Sequence, residues 1–126
     1  MLDGNENPHL RTLVAYVPVM NAQEEHVPDA AALVTGGNPT HYWDESGIIG
    51  KLYDKVLAID TYAWDVWMVY KPGVRWEDTY PPKPDFGMHQ LWLAEHSEEW
   101  PKLDTKEFAK IVDGYLAELP SGPRVY

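Results

Sequence analysis

Residues 40–70, THYWDESGIIGKLYDKVLAIDTYAWDVWMVY, predict a strand, a helix and a second strand, and this unit decides the fold. Its first residues are β-branched and aromatic, which is typical of a strand. Apolar residues recur at the helical period over 48–57, so we expect an amphipathic helix there, capped by Asp44 or Ser46. Residues 63–70 present two mostly apolar faces, which predicts a central strand covered on both sides.

The chain before this unit predicts another strand and another helix. Residues 10–17, LRTLVAYV, are nearly continuous in apolar character, which predicts a strand buried on both faces. A polar loop over 19–27 follows, and Pro28 then begins a short, Ala-rich helix that reaches Val34. Strand, helix and strand in this order predict a right-handed parallel crossover into the strand at 40–44.

The chain after this unit predicts a hairpin and a loop. Pro72 followed by Gly73 suits a type II turn, and residues 74–77 are expected to return as a short antiparallel edge strand. Three prolines make residues 78–86 an irregular surface loop. Residues 87–100 suit either a short helix or a strand-like arm packed on the core.

The last predicted element is a helix that ends before Pro120. Asp104 or Thr105 caps it, and Glu107 lies three residues after Asp104, as in a capping box. Apolar residues follow at the helical period from Phe108 onward. We therefore expect a docked terminal helix that closes an α/β domain.

The order of these elements, β-α-β-α-β-β-α, resembles the thioredoxin-like fold. The run YWDESGIIGKLYDKV, residues 42–56, is similar to the redoxin and peroxiredoxin segment in which a strand ends in Asp and a helix follows. The resemblance covers residues 10–119. It implies a mixed four-stranded sheet flanked by helices, with residues 10–17 next to residues 63–70.

The sequence departs from that family at both halves of the thiol-binding site. Family members place a redox Cys after the first strand, where this chain has Tyr16–Asn21 without a thiol. They carry a cis-Pro before the third core strand, where this chain has Tyr62 and Ala63. Because the chain contains no Cys, a thiol oxidoreductase or peroxidase is excluded. The resemblance therefore implies a scaffold without redox chemistry.

The chain length and the first residues limit the possible domain organisation. With 126 residues the chain forms one domain. We assign residues 1–9 to a flexible polar leader and residues 10–126 to a single thioredoxin-like domain. The leader has neither the basic nor the apolar region of a signal peptide. We expect a cytoplasmic protein for the sequence as written, and a periplasmic or secreted one if an export signal was trimmed.

The charge excludes two classes of partner. The net charge is −10, whereas binding to nucleic acid or to an anionic membrane needs clustered Lys and Arg. No apolar run approaches the roughly 20 residues that cross a bilayer. We therefore predict no nucleic acid and no membrane partner for this acidic, soluble chain.

Histidines supply the candidate metal ligands. His89, Glu95 and His96 could face one ion, and His41, His26 or His9 could add a ligand. The spacing matches no zinc motif of the HExxH type, and scattered histidines also suit surface or hydrogen-bonded core positions. We predict no cofactor.

An acid–base group could be built from His41, Asp44 and Asp65. Asp44 ends a strand, where ligands bind in open α/β sheets, and burial of Asp65 in its strand would raise the pKa of its carboxyl. The alternative is structural: Asp44 caps a helix, and Asp65 pairs with Arg11, Arg75 or a backbone group. No nucleophile elbow, P-loop or dinucleotide motif accompanies them.

Aromatic residues form the candidate binding surface. Six Trp and eight Tyr are many for this length. The segment with Pro81, Pro82 and Pro84 carries the candidates for a ligand, partner or dimer surface, which are Trp76, Tyr80, Phe86, Met88 and Trp92. The alternative is a long loop pinned to the core by its rings.

These patterns predict a non-redox binding domain rather than an enzyme. We expect it to bind a protein partner, to self-associate as a homodimer, or to hold a small apolar ligand. The alternative function is a metal-binding protein or a hydrolase-like enzyme that uses a His/Asp cluster.

Overall fold

A computed structural model describes residues 5–34, 36–91 and 99–119. A 3-10 turn at Glu24–His26 precedes the first α-helix. The elements are, in chain order, β1 (Thr12–Tyr16), α1 (Val27–Ala31), β2 (Pro39–Trp43), α2 (Ile48–Leu57), β3 (Val66–Val69), β4 (Phe86–His89) and α3 (Thr105–Ala117). The predicted mixed α/β class is confirmed, and the elements follow the predicted order. None of the described helices is long and apolar enough to cross a bilayer.

β1 and β2 form a parallel pair joined through α1, as the crossover prediction requires. Thr12 lies opposite Pro39, and Tyr16 lies opposite Trp43. The prediction that the first strand is buried on both faces is wrong, because the residues of β1 alternate between half-buried and exposed. Leu13 is 72% exposed. The short helix α1 buries none of its residues, so the outer face of this pair has no second layer among the described residues.

α2 occupies the predicted range. The helix begins after Gly47, whose positive φ of 69° suits a residue without a side chain. One carboxylate oxygen of Asp44 accepts a hydrogen bond from the backbone N–H of Ile49 at 2.9 Å. Tyr53 and Leu57 on the inner face of the helix are buried. The apolar stripe seen in the sequence therefore faces the core.

β3 is covered on both faces, as predicted, but it is shorter than residues 63–70. On one face Val66, Met68 and Tyr70 pack against the cluster around Tyr53 and Leu57 of α2. On the opposite face, Trp67 and Val69 pack against Met88 and two residues of α3, Phe108 and Val112. β3 and β4 thus form the middle layer between α2 and α3.

α3 begins at its predicted cap. The Asp104 carboxylate accepts hydrogen bonds from the backbone N–H groups of Lys106 at 3.1 Å and Glu107 at 3.0 Å. Both groups belong to the first turn, where the helix itself offers them no partner. The helix then buries Phe108 and Val112 against the sheet.

The partner of β3 differs from the predicted one. Residues 74–77 form no strand, and every residue from 71 to 80 is exposed. β3 instead pairs antiparallel with β4, with Val66 opposite His89 and Val69 opposite Phe86. The physical reason is burial: β4 brings Phe86 and Met88 into contact with the α3 cluster, whereas residues 74–77 have no apolar layer to face.

The single four-stranded sheet predicted from the resemblance is not seen in the described ranges. The strands form two separate pairs, β1 with β2 and β3 with β4, so β1 and β3 are not neighbours. The segment before β3 is held on α2 instead of extending beside β1. The backbone N–H of Ala63 donates to the carbonyl of Gly50 at 3.0 Å, and Tyr62 packs on the same glycine.

Candidate functional site

His41 is engaged by a neighbouring tyrosine. Its Nδ1 lies 2.9 Å from the hydroxyl of Tyr16 across the β1–β2 pair. The two rings are stacked, with centroids 5.8 Å apart. Burial raises the pKa of the Tyr16 hydroxyl, so this contact is between a neutral phenol and the imidazole at neutral pH. His41 thus has its partner on β1.

Asp44 is engaged at the start of α2. Its second carboxylate oxygen accepts a hydrogen bond from the Ser46 hydroxyl at 2.9 Å, in addition to the bond from Ile49 described above. This is the helix-capping arrangement that was the structural alternative for Asp44. Both oxygens are thus engaged in helix capping, and no hydrogen bond joins Asp44 to His41 among the described residues.

Asp65 and His89, which the sequence placed in different candidate groups, lie close together. Burial raises the pKa of the half-buried Asp65 carboxyl, and the nearby His89 partly offsets this by lowering it. His89 is only 2% exposed, and its Nδ1 accepts a hydrogen bond from the backbone N–H of Leu91 at 3.0 Å. Among the described residues Asp65 forms no ion pair with Arg11 or Arg75. Only the register of β3 with β4 brings the two side chains together, so no sequence pattern could have found them.

The candidate metal ligands gain no support as a group. Within the part of the chain that the structure describes, no three His, Asp or Glu side chains are placed to hold a metal ion. His26 bonds locally, with its Nδ1 accepting from the backbone N–H of Gln23 at 3.0 Å. Glu95 and His96 lie outside the described residues.

Tyr62 fills the space between Pro18, Asp44 and Ala63, where the resemblance would put a thiol site. Its hydroxyl donates a hydrogen bond to the carbonyl of Gly47 at 2.6 Å, and Pro18 borders the same glycine. Burial raises the pKa of the Tyr62 hydroxyl, and the charge of Asp44 adds to the effect. A tyrosine side chain therefore occupies this place.

An open cleft bordered by Pro18 lies at the carboxyl ends of β1 and β2. Its volume is about 430 Å³, and its lining is formed by Pro18, Ala22, Gln23, Glu24, Glu25, Trp43 and Glu45. The carboxyl ends of parallel strands are a common location for ligand sites. The indole Nε1 of Trp43 is buried and has no hydrogen-bond partner among the described residues. The sequence pointed to this edge through Asp44, but it did not indicate the three glutamates.

The aromatic loop, defined as residues 71–80, follows β3 and is exposed at every residue. Val74 is 44% exposed, Trp76 47% and Tyr80 48%. The other predicted members of this surface lie elsewhere: Phe86 packs on Phe108 with ring centroids 6.3 Å apart. Met88 is only 4% exposed, and Trp92 lies outside the described residues. The predicted surface therefore reduces to the loop itself.

The aromatic loop is fixed at both ends. The Tyr70 hydroxyl donates to the carbonyl of Pro82 at 2.6 Å, and burial together with the hydrogen bond to Tyr53 raises the Tyr70 pKa well above its usual range. The backbone N–H of Lys71 donates to the carboxylate of Asp85 at 2.7 Å. These bonds hold the chain on each side of the exposed rings.

Within the aromatic loop the Trp76 ring has a defined position. It packs edge-on against Tyr53 of α2, with centroids 6.4 Å apart, and its Nε1 donates to the carbonyl of Asp78 at 2.6 Å. A held but half-exposed indole is the type of side chain that dominates protein interfaces.

Comparisons with known proteins supply no relative. A scan against protein-family models, a search of curated proteins and a search of solved structures found no match to this chain.

Proposed function

We propose that this protein acts by binding another protein chain through the aromatic loop. The observation that carries the proposal is the exposure of Trp76 and Tyr80 on a segment whose two ends are fixed by hydrogen bonds. Aromatic residues and arginine are enriched at interface centres, and Arg75 stands next to Trp76. A segment that is already ordered loses less conformational entropy on binding than a free one.

A protein partner fits this surface better than a small apolar ligand. The apolar cavity that lies between α2 and the β3–β4 sheet has a volume of about 10 Å³. That is roughly the space of one water molecule, whereas drug-sized ligands need about 300 Å³ or more. The larger cleft beside Pro18 is lined by three glutamates, so it does not suit an apolar ligand. The exposed rings of the loop lie on the surface, where an apolar area of a second protein can cover them.

Charge defines the chemistry of the partner. Within the loop, Lys71 and Arg75 balance Glu77 and Asp78, while the whole chain carries −10. A partner with a basic rim around an apolar patch would be attracted at long range and could pack on a locally neutral loop. We therefore expect the association to weaken with salt.

The thioredoxin-like architecture is retained only as part of this proposal. The observed order β-α-β-α-β-β-α supports the resemblance, and the separate pairing of the strands does not. A scaffold of this kind without Cys leaves binding as its role. Backbone NOEs between β1 and β3 in solution would support the resemblance, and NOEs confined to the two pairs, β1 with β2 and β3 with β4, would contradict it.

The binding test compares two exposed tryptophans. Trp64 is 43% exposed and lies outside the loop, so Trp64→Ala is a matched control for Trp76→Ala. The wild-type chain and each variant are used to capture proteins from a lysate of the source cells. Every protein that wild type captures and Trp76→Ala does not is then purified, and its affinity for the wild-type chain and for each variant is measured. We expect Trp76→Ala to weaken binding by about tenfold or more, as for an interface hot spot, and Trp64→Ala by less than about twofold.

Two results would contradict the proposal. In one, no purified protein binds the wild-type chain more tightly than Trp76→Ala. In the other, both tryptophan variants lose affinity equally. Circular dichroism of each variant separates these outcomes from unfolding.

A further inference from the structure

The outer edge of β1 offers unpaired backbone groups. The carbonyl of Tyr16 accepts a hydrogen bond from the backbone N–H of Asp44 at 2.8 Å, directly after β2. The backbone N–H and C=O groups of Tyr16 therefore point toward β2. Backbone groups of a strand alternate in direction, and Leu13 and Ala15 therefore point theirs away from β2. No described group bonds the N–H or C=O of either residue, and both residues are exposed.

β1 also lacks the features that protect a free edge. Thr12–Tyr16 contains no charge, proline or bulge, and these are the usual devices against pairing with another chain. β2, by contrast, begins with Pro39 and is followed by Asp44. A two-stranded sheet is marginal in water by itself, so an added strand would stabilise this one.

We propose that a second copy of this chain pairs antiparallel with the outer edge of β1, which produces a four-stranded sheet with the two β1 strands at its centre. With the two-fold axis at Val14, Leu13 of one copy lies opposite Ala15 of the other. Both residues point their backbone groups at each other, so each pair exchanges N–H and C=O hydrogen bonds. On the exposed face the large Leu13 meets the small Ala15, so the surface is complementary to itself.

Charge also favours a second copy of this chain as the partner of β1. Arg11, at the start of β1, donates to the carbonyls of Pro8 and Leu10 at 2.9 Å each, and it forms no ion pair among the described residues. Antiparallel pairing brings Arg11 opposite Val17 of the second copy, next to Pro18 at the rim of the acidic cleft. The carboxylates of that cleft, Glu24, Glu25 and Glu45, then lie near a cation from the other copy. This attraction offsets part of the repulsion between two acidic chains.

The proposed pairing is also compatible with the net negative charge that both copies carry. The contact strand itself is uncharged, so no carboxylates are brought face to face along it. Extension of a sheet across a two-fold axis uses the same patch on both chains, as closed dimers do. This surface is separate from the aromatic loop, and the inference does not depend on the proposed function.

The absence of Cys from the chain makes a cross-linking test direct. In the proposed pair the two Val14 residues form a non-hydrogen-bonded pair with Cα atoms about 4.5 Å apart, inside the range of about 4.4–6.8 Å that a disulfide needs. The matched control is Thr40→Cys on β2. Its two copies would lie three strand spacings apart, about 14 Å, which a disulfide cannot span.

We expect Val14→Cys to form a disulfide-linked dimer under mild oxidation, and Thr40→Cys to stay monomeric in denaturing gels. The Trp76→Ala change, added to Val14→Cys, should leave the yield unaltered. Equal yields for Val14→Cys and Thr40→Cys, or no dimer from Val14→Cys, would overturn the proposal.

Sedimentation equilibrium tests the pairing without new thiols. We expect the wild-type chain to show a concentration-dependent dimer. Leu13→Lys should raise its dissociation constant at least about tenfold, because both contacts between Leu13 and Ala15 are lost and the two lysines lie diagonally across the pair, within reach of each other. Thr40→Lys should shift the dissociation constant less than about threefold. Leu13 is 72% exposed, so the lysine does not disturb the core. A wild-type chain that stays monomeric at its highest soluble concentration contradicts the inference, as does equal weakening by both lysines.

Discussion

Gly50 and Tyr62 show how two residues decide what the edge near Asp44 can hold. A Cβ on Gly50 would overlap the Tyr62 ring, so the absence of a side chain in α2 is what lets the tyrosine lie there. The hydroxyl then bonds the carbonyl of Gly47. The space that thiol chemistry would need is thus occupied by a ring bound to the helix beside it.

Two glycine substitutions in helices should have opposite effects on stability. Gly50→Ala is expected to destabilise the fold by about 1–3 kcal/mol, because the methyl group displaces the Tyr62 ring. Gly114 of α3 has no atom within 4 Å of an added Cβ, so Gly114→Ala should stabilise by up to about 1 kcal/mol through helix propensity. Urea unfolding of both variants measures the difference. An equal gain in stability for both would show that Tyr62 does not pack on Gly50.

The Asp65 carboxyl should give stability a specific pH dependence. Its pKa in the folded state is raised above the usual 3.8 by burial. Between that value and the raised pKa the folded state holds more protons than the unfolded state, so the contribution of Asp65 to stability falls as pH rises. Asp65→Asn removes this effect. The free energy of unfolding of wild type minus that of Asp65→Asn should therefore decrease as pH rises above 3.8 and level off above the raised pKa, as urea titrations at each pH can measure. A difference that increases with pH contradicts the assignment.

The elements differ in how much of the core they supply. Among the described residues, Val17 alone of the buried apolar side chains precedes residue 50; the others are Tyr53, Leu57, Ile59, Ala63, Met88, Leu91, Trp100, Phe108 and Val112. The first parallel pair therefore rests on few buried contacts, while β3 and β4 lie between two helices.

Hydrogen exchange should separate these two sheets. Local opening costs less free energy where few apolar contacts are lost. We expect the amides of β1 and β2 that bond each other to exchange faster than those of β3 and β4, by about tenfold or more. The measurement belongs at a concentration at which the chain is monomeric, because a paired β1 would be protected. Slower amide exchange in β1 than in β3 of the monomer would contradict the inference that β1 and β2 rest on fewer buried contacts than β3 and β4.

Local patterns and element order predicted the helices, the ranges of several strands and the parallel pair of β1 with β2, but they did not predict the partner of β3. The stripe over 48–57 and the cap at Asp104 depend on neighbours in sequence, and both were predicted. The partner of β3 depends on which later segment can be buried by α3. Residues 74–77 and Phe86–His89 are both short and contain aromatic residues, and only the position of α3 selects the second.

The candidate site was predicted only in part, again because contacts between distant segments decide which of its residues are exposed. A segment with aromatic residues and prolines indicated a surface, and Trp76 and Tyr80 are exposed. Phe86 and Met88 have the same chemical character, but β4 turns them toward α3, which leaves Met88 buried and Phe86 half-buried. The acidic cleft combines a loop at Glu24 and Glu25 with Glu45 after β2, and their proximity follows from the pairing of β1 with β2.

At the scale of the whole molecule, the tryptophans lie in contrasting environments. Trp100 is 6% exposed and its indole N–H donates to the carbonyl of Leu57 at 2.9 Å, whereas Trp64 and Trp76 are close to half exposed. An indole in the interior emits at shorter wavelength than one in water. The intrinsic tryptophan fluorescence therefore reports on two events without an added dye. Loss of the short-wavelength emission of Trp100 follows unfolding of the interior. A shift of the Trp76 emission to shorter wavelength would follow the covering of the aromatic loop.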